Sequence, residues 1–421
     1  MMSSANVACH PCEGDDERDV KRKRLASKLY VPVPFHFKIP HGLWMLEATS
    51  VAVDAQDNVI VFNRGNMPVL CFDRDGMLIR QWGNQTPFSG TGEPVIDSYG
   101  GATMRWTGTE YARPHLCHVD MDGFVWLVDA GAHCVVKTAP LTGERLMVLG
   151  PDGTVLRGDA ARASAGVAFE PAPKQSGRPF NTPTSVCVHG ATGDIFVSDG
   201  YGNSRVHRFN EHGEHILSWG ESGTDDGDFN LPHCICIGPD SQSVLVADRE
   251  NSRVQCFTLD GVHVASWAAH RAVAVAVGRG ADAHGVVADK RIFIAEQGSS
   301  STVQRGAGMG SHQLGTWTKN IGHRIGIYDV VHDRAPADQR GPSDPTSQPV
   351  CPGARLELVG QIGASTPGEA PGQFNWLHSV AVDSEGSIYA AEVSFCECGK
   401  FQQPHAREMV SLRKWRLADA M

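Results

Sequence analysis

Three histidines carry the strongest chemical signal in the chain. His115, His233 and His378 fall at the same point of a recurring apolar pattern, in Arg113-Pro-His, Leu231-Pro-His and Trp376-Leu-His. A lone histidine at such a point is an ordinary polar turn residue, but three at equivalent positions form a constellation. Three imidazoles with an open fourth position are the donor set of a catalytic zinc, since a structural zinc fills all four positions with Cys or His. A second equivalent position carries Arg64 in Asn63-Arg-Gly, Tyr201 in Asp199-Gly-Tyr-Gly-Asn-Ser-Arg, and Arg249 in Asp248-Arg-Glu-Asn-Ser-Arg. An arginine near a metal suits a substrate carboxylate, and a tyrosine flanked by cations, its pKa lowered, suits a general base. Asn63, beside Arg64, is assigned to the substrate pocket. Arg205 and Arg253 read as repeat-signature residues that pair with Asp to pin neighbouring units, and His118 and His133 as packing residues.

The elements that must position these groups are visible as a repeat. Four copies are plain: Thr49-Ser-Val-Ala-Val-Asp with Val59-Ile-Val-Phe-Asn-Arg, Pro114-His-Leu-Cys-His-Val-Asp with Phe124-Val-Trp-Leu-Val-Asp, Pro183-Thr-Ser-Val-Cys-Val with Asp194-Ile-Phe-Val-Ser-Asp, and Pro232-His-Cys-Ile-Cys-Ile with Ser243-Val-Leu-Val-Ala-Asp. Each closes on an outer strand, such as Leu78-Ile-Arg-Gln-Trp-Gly or His215-Ile-Leu-Ser-Trp-Gly. A fifth copy, Val273 to Ala295, is diverged, and a sixth starts at Leu377-His-Ser-Val-Ala-Val-Asp. Period-two strands in units of about 40 residues predict an all-β, six-bladed β-propeller. Tyr30 to Ile39 is expected to close the ring beside Ser411-Leu-Arg-Lys-Trp-Arg-Leu and to hide its edge. The alternation Thr49, His115, Thr184, His233, then His378 places the histidines on every second blade, about 120° apart around the channel; blade five is too diverged to place. Residues 1–28 are expected to be a disordered tail and 29–421 the propeller. Surface loops are expected at about 86–110, 152–177, 298–319 and 335–354, all rich in Gly, Pro, Ser and Thr.

Composition narrows the function classes. Of 421 residues, 41% are hydrophobic and 20% charged, with no apolar run long enough for a membrane helix. A net charge of −10 weighs against a nucleic-acid partner, and Lys21-Arg-Lys-Arg24 follows an acidic stretch in the tail. Residues 1–25 lack the apolar core of a signal peptide, so a cytoplasmic location is expected. The twelve cysteines are scattered, and Cys187, Cys236 and Cys256 read as reduced residues packed like small hydrophobes. Cys9 with Cys12 and Cys396 with Cys398 are given no zinc or redox role. A monomer acting on a small molecule or peptide is expected.

These motifs resemble the NHL-repeat propellers and, within them, the peptidyl-α-hydroxyglycine α-amidating lyases. Val59-Ile-Val-Phe-Asn-Arg-Gly, Arg113-Pro-His, Val197-Ser-Asp-Gly-Tyr-Gly-Asn-Ser-Arg, Leu231-Pro-His and Val246-Ala-Asp-Arg-Glu-Asn-Ser-Arg carry the resemblance, over roughly residues 44–270 and 371–395. The resemblance implies zinc on His115, His233 and His378, Tyr201 as base, Arg64 and Arg249 at the substrate, and cleavage of a peptidyl- or N-acyl-α-hydroxyglycine to an amide and glyoxylate. Three positions depart from the family. Trp376 replaces a methionine and narrows or restacks the pocket; Ser379 replaces the one charged ligand of a structural calcium, so calcium is doubtful; Gly202 replaces a cysteine found in secreted relatives, which agrees with a reduced compartment. No copper-binding hydroxylase sequence is seen, so the hydroxylated substrate is expected from elsewhere, and other α-hydroxy-amides or carbinolamines stay open. The alternatives are a non-enzymatic NHL propeller that binds a protein or ligand, and a calcium-dependent propeller hydrolase, which wants Asp, Glu and Asn at the axis.

Overall fold

A computed structural model describes residues 30–84, 92–96, 102–106, 109–150, 155–163, 180–281, 287–298, 323–332, 354–364, 366–399 and 409–417. The chain is a six-bladed β-propeller whose blades are antiparallel sheets. The inner strands are Ala48–Val53, Pro114–Val119, Ser185–Val188, Pro232–Ile237, Ala272–Ala281 and Leu377–Val382, and each lies against the next around the ring. The second strands are Val59–Asn63, Val125–Asp129, Ile195–Asp199, Ser243–Asp248, Val287–Glu296 and Ile388–Glu392, and apart from Val287–Glu296, which carries Asp289, Lys290 and Arg291, they are mostly apolar because both faces of a blade are covered by its neighbours.

Blade five, unreadable past its first two strands in sequence, is complete: Arg324–His332 and Ala354–Gly363 supply its outer half. Blade six closes the ring. Tyr30–Pro32 pairs antiparallel with Leu412–Leu417, so the expected closure strand exists but is three residues long and does not run on to Ile39. Trp415 on that sheet is 2% exposed and lies 5.1 Å from Phe374, ring to ring. Burying such a side chain contributes roughly 2–3 kcal/mol.

The same seam recurs between blades. In blades two, three and four the hairpin glycine before the outer repeat strand sits on the closing residue of the preceding blade, Trp82, Leu149 or Trp219. A Cβ at Gly143 would fall 2.2 Å from the Trp82 ring and one at Gly261 2.7 Å from the Trp219 ring, both at positive φ (70° and 78°). Only glycine turns this corner and leaves the indole its place.

Two expected loops hold structure. Within 86–110, Gly92–Ile96 and Ala102–Trp106 form an antiparallel hairpin. Within 152–177, Val155–Arg157 adds a fifth strand to blade two and Gly158–Ala163 is a short helix. Most of 298–319 and 335–354, the tail 1–28 and the Cys9–Cys12 pair lie outside the described residues. The cysteine reading needs one correction, because Cys256 is disulfide-bonded. At Cys187 and Cys236 burial pushes the thiol well up, as suits a small apolar packing group. Among the described residues no helix is long and apolar enough to cross a membrane.

Candidate active site

In blades two to six the loop that enters the inner strand is held by the acid ending the second strand of the same blade. Asp129 accepts hydrogen bonds from the backbone of Ala112 and Arg113 (2.7 and 2.8 Å), Asp248 from Asn230 (2.7 Å), and Glu392 from Asn375 and Trp376 (2.5 and 3.2 Å). A carboxylate with several N–H donors makes strong, short bonds, so these entries are rigid. The residue two or three positions on is a histidine in blades two, four and six.

His115, His233 and His378 meet at the channel, with ring centroids 4.7 to 4.9 Å apart. Each Nδ1 donates to a backbone carbonyl of the following blade: His115 to Thr184 (2.5 Å), His233 to Val273 (2.7 Å) and His378 to Thr49 (2.7 Å). This fixes the tautomer, and every Nε2 presents a lone pair to the axis. Val273 is thereby revealed as the blade-five counterpart of Thr49 and Thr184. Burial, then neighbouring histidine and arginine charge, holds His115 and His233 well below the usual imidazole range. Burial and then Arg64 push His378 down to about 3. Three neutral donors within 4.8 Å of one another fit a divalent ion with borderline-soft preferences, and they are the one such group among the described residues.

Tyr201 stands over this trio. Its hydroxyl donates to Nε2 of His115 at 3.1 Å and lies 3.4 Å from Nε2 of His233. Flanking glycines bring it there: a Cβ at Gly200 would be 2.1 Å from the Pro232 carbonyl, and one at Gly202 2.2 Å from the Asn181 side chain. The position of Gly202 therefore has no room for a cysteine unless Asn181 moves. Arg113 lies over the tyrosine ring, 5.7 Å from its centroid.

Arg64 and Arg249 are buried on either side, each held by a carboxylate. Arg64 Nη1 is 2.7 Å from Glu47, and Arg249 Nη2 is 2.9 Å from Glu250, which also takes Arg271 at 3.0 Å. Burial opposes both charges, but Glu47 and Glu250 outweigh it and raise the arginine pKa values. A short helix, Ser394–Glu397, covers this side, with the Cys396 amide donating to Glu47 at 2.8 Å.

Not every expected residue joins the site. Asn63 is 0% exposed and spent on its own turn: its amide donates to Met67 and Pro68, and its oxygen accepts from Gly65. Trp376 is half-buried and faces His323, centroids 5.1 Å apart. Ser379 lies in the blade one–six seam, 3.3 Å from both Ser50 Oγ and the Val51 amide. Arg253 pairs with Asp248 of its own blade (2.8 Å) and with the carbonyls of Asp225 and Asp228, so it ties down a loop and does not pin a neighbouring blade. Arg205 approaches Glu221 at 3.9 Å, while Asp199 takes Asn203 and His207. His133 accepts from the Thr182 amide, and His118 is half-buried with its Nε2 enclosed. Glu47, Arg113, Glu250 and Arg271 went unassigned in the sequence reading. The usable signal was their place: Glu47, Arg113 and Arg271 sit two residues before Thr49, His115 and Val273.

The model of the NHL repeat matches residues 180–209 and 229–257, which are blades three and four. The peptidyl-glycine alpha-amidating monooxygenase of Mus musculus is 32% identical over 227 residues, covering 52% of this chain and 21% of that protein. The peptidyl-alpha-hydroxyglycine alpha-amidating lyase 1 of Drosophila melanogaster is 33% identical over 232 residues, covering 50% and 37%. The chain is a β-propeller with NHL repeats in blades three and four, and it resembles the amidating lyases over about half its length. It spans well under half the length of these two relatives. The NHL repeat-containing protein 3 of Homo sapiens is 29% identical over 229 residues, covering 52% of this NHL propeller and 54% of that protein.

Proposed function

We propose that the chain is a zinc-dependent carbon–nitrogen lyase that cleaves an N-acyl- or peptidyl-α-hydroxyglycine to an amide and glyoxylate. One observation carries the reading: the Tyr201 hydroxyl sits within hydrogen-bond reach of two of three convergent imidazoles, between two carboxylate-clamped arginines. The names of the amidating relatives support the same reaction class. Nε2 of His115, His233 and His378 would hold zinc, which would supply a Lewis acid for the carbinol or carboxylate oxygen.

The residues divide the remaining work. Arg64 and Arg249 bind the substrate carboxylate, and their acid partners leave each guanidinium a fixed direction. Tyr201 takes the carbinol hydroxyl proton as that oxygen's electron pair becomes the carbonyl of glyoxylate. The C–N bond breaks, its electrons leave on nitrogen, and Tyr201 returns the proton there, which completes the primary amide. Arg113 over the ring, with Arg64 and Arg249, steadies the phenolate that takes the first proton and is restored by the second transfer. Burial of the trio and of both arginines keeps competing water away. Calcium has no part in this reading, and a cytoplasmic location is not needed by it.

Glyoxylate release from a simple N-acyl-α-hydroxyglycine tests the proposal. The wild type should release it, and Tyr201→Phe should be slower by about 10²- to 10⁴-fold with its metal retained. A zinc-loaded wild type that releases none ends the proposal.

A further inference from the structure

Five of the six blades meet the rim at an equivalent point, marked by a backbone hydrogen bond from the residue after the second strand; in blade three the next residue, Tyr201, donates instead, to Thr182. Arg64 donates to the Glu47 carbonyl, Ala130 to Arg113, Arg249 to Leu231, Gln297 to Arg271 and Val393 to Trp376. Gln297 is therefore the blade-five counterpart of Arg64 and Arg249. The likeness extends to the side chain. Arg64 Nε donates to the carbonyl of Pro114, the residue before His115 (3.2 Å), and Gln297 Nε2 donates to the carbonyl of Leu377, the residue before His378 (3.0 Å).

Gln297 is 1% exposed, and its Oε1 is buried with no hydrogen-bond partner among the described residues. Only the amide nitrogen can serve the Leu377 carbonyl, so the carboxamide cannot be flipped and the orphan is an acceptor. A buried amide oxygen left unpaired is costly, which makes it a place where a ligand donor is missing. The loop is held in place, since His323 Nδ1 accepts from the amide of Gly298, the next residue.

Of the donors in an acyl-α-hydroxyglycine, the carbinol hydroxyl belongs to Tyr201, which lies against His115 and His233. Gln297 stands at a different sector, beside His378. We infer that Gln297 is a specificity residue, whose Oε1 accepts a hydrogen bond from the N–H of the acyl-amide to be cleaved. The inference rests on the lyase reading and adds what that reading lacks, a group that distinguishes an amide from an ester. At the instant of cleavage the same contact orients the nitrogen that receives the proton.

The test uses two unreactive probes on the zinc-loaded full chain: an N-acylglycine, and the O-acylglycolate with the same acyl group, which lacks the N–H. Wild type should bind the amide about 10- to 100-fold more tightly than the ester, from one hydrogen bond to a buried acceptor. Gln297→Met, close in shape and without the carboxamide, should bring that ratio below about 3-fold while zinc content and ester affinity hold. If the Met variant loses zinc, Gln297→Asn, with its carboxamide drawn back by one methylene, is read by the same ratio. A ratio that persists in the variant overturns the role of Gln297 and leaves the lyase reading intact. A wild type that binds neither probe and releases no glyoxylate removes the lyase reading and this inference with it.

Discussion

Burial, with neighbouring arginine and histidine charge, pushes the three histidines toward the neutral form that a metal ligand needs, while the bond of each Nδ1 to the next blade fixes the tautomer. Removing one Nε2 leaves two donors, too few for a stable site. His233→Ala should therefore lower bound zinc from about one per chain to a small fraction of that, by elemental analysis of dialysed protein. Retention of a full equivalent would mean that the trio is not the site. A different histidine governs acid stability. Burial pushes His118 down to about 4 from an ordinary 6.5, with Asp120 opposing weakly. A depressed imidazole binds fewer protons folded than unfolded, so its stabilising share is full above about pH 6.5 and falls as pH drops toward 4. The loss is on the order of 3 kcal/mol. The denaturation midpoint of wild type should thus fall relative to that of His118→Leu as pH drops from 7 to 4, and parallel curves would exclude His118 as a source. The sequence made the histidine trio legible because metal donors at equal repeat positions stand out. It hid Glu47 and Glu250, since an acid two residues from a turn looks like any other until its arginine is beside it.

At the scale of the element, the repeat was legible wherever Asp ends a second strand and Gly follows an outer one. Asp129, Asp199 and Asp248 cap the loops that carry Arg113, Asn181 and Asn230. Blade five replaces this acid with Glu296, which reaches the His270 amide at 2.6 Å, and blade six uses Glu392. The longer side chain makes the same cap one methylene further out; blade six was legible in spite of it, and blade five was not. Strand length misled as well: blade five carries strands of ten residues, split by long insertions. The glycine seam gives a direct test. Gly261→Ala meets both an unfavourable φ and the Trp219 ring, whereas Gly123→Ala has the same backbone conformation (φ 82°) with open space around it. The first should cost about 3 kcal/mol or more and the second about 1 kcal/mol, by urea denaturation. Equal losses would show that the turn conformation matters and the indole contact does not.

At the scale of the whole molecule, a ring of blades has no free edge only if its last sheet is completed, and here that falls to three residues. Tyr30–Pro32 is the outermost strand of blade six, although it precedes blade one in the chain. Through it the first and last blades hold each other, and the His378 bond to Thr49 crosses the same junction. Tyr30 is more than a backbone partner: it is 3% exposed and belongs to the core shared by blades four, five and six, with Phe293 and Trp415. A hairpin-length contact of three residues is weak by itself, so most of the closure must come from this side chain. Tyr30→Ala should therefore cost about 3–5 kcal/mol, the range for emptying an aromatic site in a core. It should also loosen the channel, because the histidines of blades two and four are oriented within one half of the ring and that of blade six across the junction. The variant should lose zinc faster to a chelator than wild type does, at a temperature where both are folded. A stability loss below about 1 kcal/mol with unchanged zinc release would place closure elsewhere, on the sequence between Val33 and Glu47 that runs from blade six across to blade one.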